Sequence, residues 1–107
     1  MSQKTDQIFR ALADPTRREI FRLLVIGSTL SITQLSAHFD ISRQGISKHL
    51  KFLMDAEMVK MEKKGRESIC YAEAKSLQIV KEWLSYYDKY WDNSLNALED
   101  YLNLSSQ

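Results

Sequence analysis

Apolar residues recur with a helical period along most of the chain and predict a mainly α-helical fold. Asp14 and Pro15 open the clearest helix, because aspartate caps helices and proline fits the first helical position, where its missing N–H is not needed. The buried face of this helix is formed by Thr16, Ile20, Leu23 and Leu24. Gly27 stands where a left-handed residue would end it. A shorter helix is predicted upstream, at about residues 5–14.

Two short helices joined by a tight turn are predicted between residues 31 and 56. Ser31 and Gln34 form a capping box at the start of the first helix. Asp40 and Ile41 make the connection, and Ser42 caps the second helix. This arrangement is typical of a helix-turn-helix.

The second of these helices has two chemically different faces when its residues are placed at about 100° intervals. One face carries Ile46, Leu50, Leu53 and Met54, and the opposite face carries Gln44, Lys48, Lys51 and Asp55, with Ser47 at the border. We therefore expect one face to pack in the core and the other to be free to bind a partner.

From residue 58 to residue 72 the apolar period changes to two and predicts a β-hairpin, or wing. The strand residues expected to point inward are Val59, Met61, Ile69 and Tyr71. The turn lies around Gly65 and carries Lys63, Lys64 and Arg66. This alternation predicts that Cys70 points outward or toward a partner surface.

A long apolar seam follows the hairpin and predicts a helix at about residues 75–103. Its members recur three or four residues apart and are Leu77, Val80, Leu84, Tyr87, Trp91, Leu95, Leu98 and Leu102. The seam is too long for so small a protein to cover by itself, which predicts that a second copy covers it. Asp92, Asn93 and Ser94 are poor helix formers within it and leave a kink possible there.

Composition narrows the class of protein. The 107 residues are enough for one domain, so residues 1–107 are predicted to form a single unit. Residues 42–72 carry seven basic and four acidic side chains, whereas residues 73–107 carry three basic and six acidic side chains, so a mildly basic middle precedes an acidic end.

No apolar run approaches the roughly 20 residues of a membrane span, and the polar start lacks the features of a secretory signal. We therefore expect no membrane insertion and a cytoplasmic location, which the single cysteine also fits.

Catalytic and metal chemistry find no support in the residue pattern. No phosphate-binding glycine loop, nucleophile with a base, or pair of convergent carboxylates can be assembled, so we predict no enzyme activity and no cofactor. His38 and His49 lack a neighbouring cysteine and cannot complete a tetrahedral zinc site, so no metal ligands are predicted. The aromatic cluster Tyr86, Tyr87, Tyr90 and Trp91 fits helix packing better than a ligand pocket.

A helix-turn-helix followed by a basic wing indicates double-stranded DNA as the partner, because one helix fits the major groove while a hairpin reaches the flanking backbone. The alternative is a winged-helix module that binds another protein without specific DNA binding. The basic hairpin tip and the polar helix face favour DNA over this alternative.

Over residues 8–102 the chain resembles the arsenic-repressor (ArsR) family of bacterial regulators. The matching segments are Phe9 through Arg18, Leu35, Ser42 through Leu53 with its Ser47-Lys48-His49-Leu50 core, Gly65-Arg66 and Tyr71. The resemblance implies a repressor that dimerises through its first and last helices. Trp83 and Trp91 make it most similar to the metal-independent autorepressor branch. Metal-sensing members carry a Cys-x-Cys in the first motif helix, where residues 33–39 of this chain hold no thiol.

The expected contacts follow from this scheme. Base edges are assigned to Arg43, Gln44 and Ser47, because arginine pairs with guanine and glutamine with adenine. The DNA backbone is assigned to Ser31, Thr33, Ser42, Lys48, His49, Lys51, Lys63, Lys64 and Arg66. The dimer interface is assigned to Ile8, Leu12, Val80, Leu84, Tyr87, Trp91, Leu95 and Leu98.

Two features of the scheme stay open. The family commonly has a glycine where the recognition helix meets the wing, and this chain has Glu57, which puts the wing angle in question. The operator is expected to be an inverted repeat. An inducer, or a protein that sequesters the repressor, is left open as a further partner.

Overall fold

The computed structural model describes residues 3–27 and 29–105. The elements in chain order are α1 (Gln3–Leu12), α2 (Pro15–Gly27), β1 (Thr29–Ser31), α3 (Ile32–Phe39), α4 (Arg43–Asp55), β2 (Val59–Lys64), β3 (Glu67–Ala72) and α5 (Lys75–Ser105). The predicted fold class is confirmed: a mainly helical winged helix-turn-helix with a long C-terminal helix. The chain divides into two compact units, one ending at Leu77 and the other beginning at Gln78. No helix in the described ranges is long and apolar enough to cross a membrane.

The first unit is built around one apolar core. Its fully buried side chains include Ile8, Ile20, Leu24, Leu35, Ile46, Leu50, Leu53 and Met58. The helices around this core begin at the caps that the sequence predicts. Asp14 Oδ2 accepts a hydrogen bond from the backbone N–H of Arg17 at 3.0 Å, and Ser31 and Gln34 form both bonds of the capping box.

The predicted hairpin is part of a three-stranded antiparallel sheet with the order β1-β3-β2. The sequence pattern did not reveal β1, because three residues are too few to show a period of two. β1 pairs Leu30 with Cys70, which makes β3 the central strand and β2 an edge strand. The wing is therefore anchored to the helix-turn-helix through β1, which directly precedes α3.

The prediction that Cys70 points outward is wrong: Cys70 is fully buried. Gly65 and Arg66 alone connect β2 and β3, and this two-residue turn sets Met61 opposite Cys70 and Val59 opposite Ala72. Residues directly opposite each other in a sheet share a face, so Cys70 joins Val59 and Met61 on the core side. The inward orientation predicted for Ile69 and Tyr71 is wrong for the same reason, since both lie on the other face.

Glu57 links α4 to the wing in a left-handed conformation, with φ at 58°. A side chain costs energy in this region of backbone space and glycine does not. The position thus has the backbone geometry that the expected glycine would adopt without strain. The Glu57 carboxylate forms an exposed ion pair with Lys4 at 2.5 Å.

Glu57→Gly is expected to raise the free energy of unfolding by about 0.5–1 kcal/mol, because it removes the left-handed strain and gives up only an exposed ion pair. Urea denaturation followed by circular dichroism measures the change. Glu57→Ala is the matched control, since it removes the same ion pair but keeps a Cβ, and it should not be more stable than the wild type. Equal stability of the glycine and alanine variants would contradict this account.

The second unit consists of the remainder of α5, which is helical to Ser105. The helix continues through Asp92, Asn93 and Ser94 without a break. The rings of Trp83 and Tyr87 pack against each other in a tilted arrangement, with centroids 5.0 Å apart and an angle of 54° between the planes. The exposed large apolar side chains of this unit include Leu84, Tyr86, Tyr87, Tyr90, Trp91, Leu95, Leu98, Tyr101, Leu102 and Leu104.

Candidate nucleic-acid interface

The turn between α3 and α4 is held by four hydrogen bonds. Asp40 takes a left-handed conformation with φ at 52° and donates its N–H to the Ser36 carbonyl. The N–H of Ile41 reaches the same carbonyl at 3.2 Å, while the Ser36 hydroxyl donates to the Ile41 carbonyl. Ser42 Oγ then accepts the Gly45 N–H at 3.1 Å and starts α4. These bonds define the direction in which α4 leaves the turn.

The outer face of α4 is exposed along its whole length. The polar residues on it are Arg43, Gln44, Ser47, Lys48 and Lys51, all of them exposed. The inner face carries Ile46, Leu50 and Leu53, each with 0% exposure. The structure therefore brings together the three residues assigned to base edges and two of the lysines assigned to phosphates.

The tip of the wing carries the other cations of the predicted interface. Lys63, Lys64 and Arg66 are exposed around Gly65, whose φ of 63° allows the tight turn. At the base of the wing, Lys60 Nζ lies 3.0 Å from Glu73 Oε2. This bond raises the pKa of Lys60 and lowers that of Glu73, so the cation at this position is already paired.

Three of the residues assigned to the DNA backbone have different environments. Thr33 is exposed near the start of α3. Ser31 is buried and its Oγ accepts the Gln34 N–H, so what this position offers a phosphate is the N-terminal end of α3 and not a hydroxyl. His49 is half-buried, with Nδ1 3.9 Å from Asp14 Oδ2. The Arg17 backbone N–H is the main reason why the pKa of Asp14 lies below its ordinary value.

The residues assigned to a dimer interface differ in accessibility. Ile8 is fully buried inside the first unit and offers no surface to a partner. Leu12 and Val80 are half-buried. The exposed members of the set are Leu84, Tyr87, Trp91, Leu95 and Leu98.

The sequence did not reveal two residues that shape this interface. Arg17 donates from Nε to the Ala11 carbonyl at 2.7 Å, and its guanidinium lies over the Phe52 ring of α4. Gly45 faces Ile41, and a Cβ built at Gly45 would lie 2.7 Å from Ile41 Cγ2. The signal that could have indicated this close approach is a glycine in the first turn of a helix whose other residues favour helix formation.

The described residues contain neither a reactive cysteine nor a group placed to bind a metal ion. Burial raises the pKa of the Cys70 thiol to about 11, which disfavours the reactive thiolate. Among residues 3–27 and 29–105, no group of three or more His, Cys, Asp or Glu side chains is placed to hold a metal ion. Metal independence stays a prediction.

Comparison with known proteins supplies the family. Residues 12–62 match the family model described as a helix-turn-helix domain. The chain is 33% identical over 90 residues to the transcriptional repressor SdpR of Bacillus subtilis, covering 84% of this chain and 99% of that protein. It is 34% identical over 100 residues to the arsenical resistance operon repressor of Staphylococcus xylosus, covering 94% and 81%. An ArsR-like transcriptional regulator from Rhodococcus sp. RHA1 superposes with a TM-score of 0.75 at 31% identity, covering 94% and 91%.

Proposed function

Because this chain belongs to the ArsR family of helix-turn-helix transcriptional regulators, we propose that it represses transcription by occupying an inverted-repeat operator as a homodimer. The observation that carries this proposal is the exposed row of Arg43, Gln44, Ser47, Lys48 and Lys51 on α4, opposite a face that is fully buried. A helix with one face in the core and a polar face in solvent fits the major groove, where arginine and glutamine recognise guanine and adenine.

The wing extends the proposed contact beyond the major groove. Lys63, Lys64 and Arg66 carry positive charge on a turn that no other described element covers. Phosphate contacts of this kind supply affinity and register, while base contacts supply sequence preference. The two groups of residues therefore have separable effects on binding.

The proposed dimer is supported by the exposed apolar seam of α5. Leu84, Trp91 and Leu98 are each about half exposed or more, and apolar residues in such a row rarely remain in contact with water. A like helix from a second copy covers the seam with twofold symmetry, and twofold symmetry is also what an inverted repeat requires.

The protein acts in this proposal by binding alone, in the cytoplasm, without a catalytic step or a cofactor. Residues 1–107 work as one regulator that contains the helix-turn-helix at about 31–56 and the wing at about 58–72. The place of Trp83 and Trp91 in α5 supports the metal-independent branch of the family. Release from the operator then requires another signal, such as a small inducer or a sequestering protein.

Selection of bound sites from a pool of random DNA duplexes tests the proposal directly. The purified protein is expected to enrich an inverted repeat whose half-site centres lie one helical turn apart, about 34–36 Å. Enrichment of a single asymmetric site would contradict the dimeric mode. Absence of any enriched sequence would contradict sequence-specific binding.

Base-reading and wing variants are expected to fail in different ways. Arg43→Ala and Gln44→Ala should each relax the preference at defined operator positions, because a good base pair contact contributes about 1–3 kcal/mol of discrimination. Lys63→Ala and Lys64→Ala should weaken binding to all sequences alike and reduce the slope of log K against log salt by about 0.9 each. Fluorescence anisotropy with single-base operator variants measures both effects. Unchanged base preference in both helix variants would contradict the base-reading assignment.

A further inference from the structure

A third face of α4 is held by the start of α2. When the residues of α4 are placed at about 100° intervals, His49 and Phe52 lie on a third face, between the apolar face and the polar face. The guanidinium carbon of Arg17 lies 4.3 Å from the centroid of the Phe52 ring. One turn away, His49 Nδ1 lies 3.9 Å from Asp14 Oδ2. Asp14 caps α2 and Arg17 lies in its first turn, so the start of α2 contacts α4 outside the core.

Arg17 also forms hydrogen bonds with the end of α1. Its Nε donates to the Ala11 carbonyl at 2.7 Å, and its Nη2 donates to the Arg10 carbonyl at 3.1 Å. These carbonyls belong to the last turn of α1, and that of Arg10 also accepts the backbone N–H of Ala13 at 3.2 Å. A single side chain from α2 thus connects the end of α1 with the ring of Phe52 on α4.

We propose that Arg17 is a positioning residue for operator binding, which holds α4 at the angle that the major groove requires by joining α1 to Phe52. The inference rests on the proposed role of α4 as the DNA-reading helix. Ile46, Leu50 and Leu53 hold α4 by apolar packing, which has little directional preference. The hydrogen bonds of Arg17 fix its guanidinium at the end of α1. Its cation–π contact with Phe52 acts on another face of α4, so the fixed guanidinium resists rotation of α4 about its own axis.

Apolar packing does not fill the space between α1 and α4 beside Phe52. A crevice of about 170 Å³ lies there, lined by Gln7, Arg10, Phe52, Asp55 and Ala56. Phe52 itself is 55% exposed, so its ring is not fixed by a surrounding core. Arg17 is therefore well placed to determine the orientation of α4 relative to α1 beside Phe52.

Arg18 offers a matched control for the test. Its Nη1 donates to the Leu12 carbonyl at 2.9 Å, so it also caps the end of α1, but no described contact joins it to α4. Arg17→Met and Phe52→Leu are each expected to weaken binding to the selected duplex about tenfold, as when α4 spends about a tenth of its time in the competent orientation. Arg18→Met should stay within about threefold of the wild type. The double variant Arg17→Met/Phe52→Leu should bind as weakly as Arg17→Met alone, because both changes break the same contact.

Three measurements decide between positioning and other roles. Urea denaturation and sedimentation first establish that each variant is folded and has the oligomeric state of the wild type. Salt titration then separates positioning, which leaves the slope of log K against log salt unchanged, from a direct phosphate contact, which lowers the slope by about 0.9. A lowered slope, an equal loss in Arg18→Met, or wild-type affinity in Arg17→Met would each overturn the inference. Failure of the wild-type protein to bind any duplex would instead overturn the proposed function.

Discussion

Leu84→Asp combined with Trp91→Asp is expected to give a monomer that binds its operator at least about 100-fold more weakly than the wild type. Both side chains lie on the exposed apolar seam of α5, which the proposed dimer covers. Aspartates at these positions place charges where the two helices would meet, and burying unpaired charges is strongly unfavourable. Without the dimer, the second half-site no longer benefits from the high effective concentration that the first contact creates.

The opposite face of α5 supplies a matched control. Tyr86 and Tyr90 are 77% and 70% exposed and lie off the seam, so Tyr86→Asp with Tyr90→Asp removes two aromatic residues and adds the same charges. This variant should remain dimeric and keep its operator affinity within about threefold. Sedimentation velocity at micromolar concentration and fluorescence anisotropy measure the two properties. A wild-type protein that is monomeric yet binds an inverted repeat tightly would show that DNA, and not the seam, brings two copies together.

Local signals in the sequence were sufficient to predict the helices of the first unit. Asp14, Ser31 and Ser42 act through backbone groups within three residues, so their caps depend on nothing distant and appear as the sequence predicts. The polar face of α4 could be predicted equally well from the sequence, because a helical period assigns every residue to a face once the helix ends are known.

Contacts between distant residues could not be predicted in the same way. β1 is too short to carry a periodic signal, and it became visible only through its pairing with β3. Arg17 contacts the end of α1 and the ring of Phe52, which lies 35 residues farther along the chain, and nothing in the local pattern of α2 indicates that distance. The residues that determine how helices are placed relative to each other are thus the ones that periodicity misses.

The orientation of β3 could have been predicted from the hairpin turn in the sequence. An alternating pattern assigns two sets of residues to two faces, but it does not say which set is buried when both contain apolar side chains. Ile69 and Tyr71 continue the alternating pattern of Val59 and Met61 and were therefore expected inside. The two-residue turn at Gly65 and Arg66 determines the register instead, and it places Cys70 opposite Met61.

This register leads to a large difference between two adjacent substitutions. Cys70→Lys is expected to lower the free energy of unfolding by at least about 4 kcal/mol, because it buries an ammonium group without a partner in the core. Ile69→Lys should cost less, about 1–2 kcal/mol, since its half-buried side chain lies on the other face of the sheet, directly opposite the carboxylate of Glu62. With a total stability of about 5–15 kcal/mol for such a domain, the first change removes a large part of it, and most of it at the lower end of that range.

Urea denaturation followed by far-ultraviolet circular dichroism distinguishes the two variants. We expect Ile69→Lys to unfold in a cooperative transition close to that of the wild type, and Cys70→Lys to be largely unfolded or to unfold at much lower urea. The same residue type at neighbouring positions removes differences in helix or strand propensity as an explanation. A folded Cys70→Lys beside an unfolded Ile69→Lys would mean that β3 presents the opposite face to the core. In that case the strand pairing of the wing would be shifted by one residue, and the positions of Lys63, Lys64 and Arg66 relative to the polar face of α4 would have to be derived again.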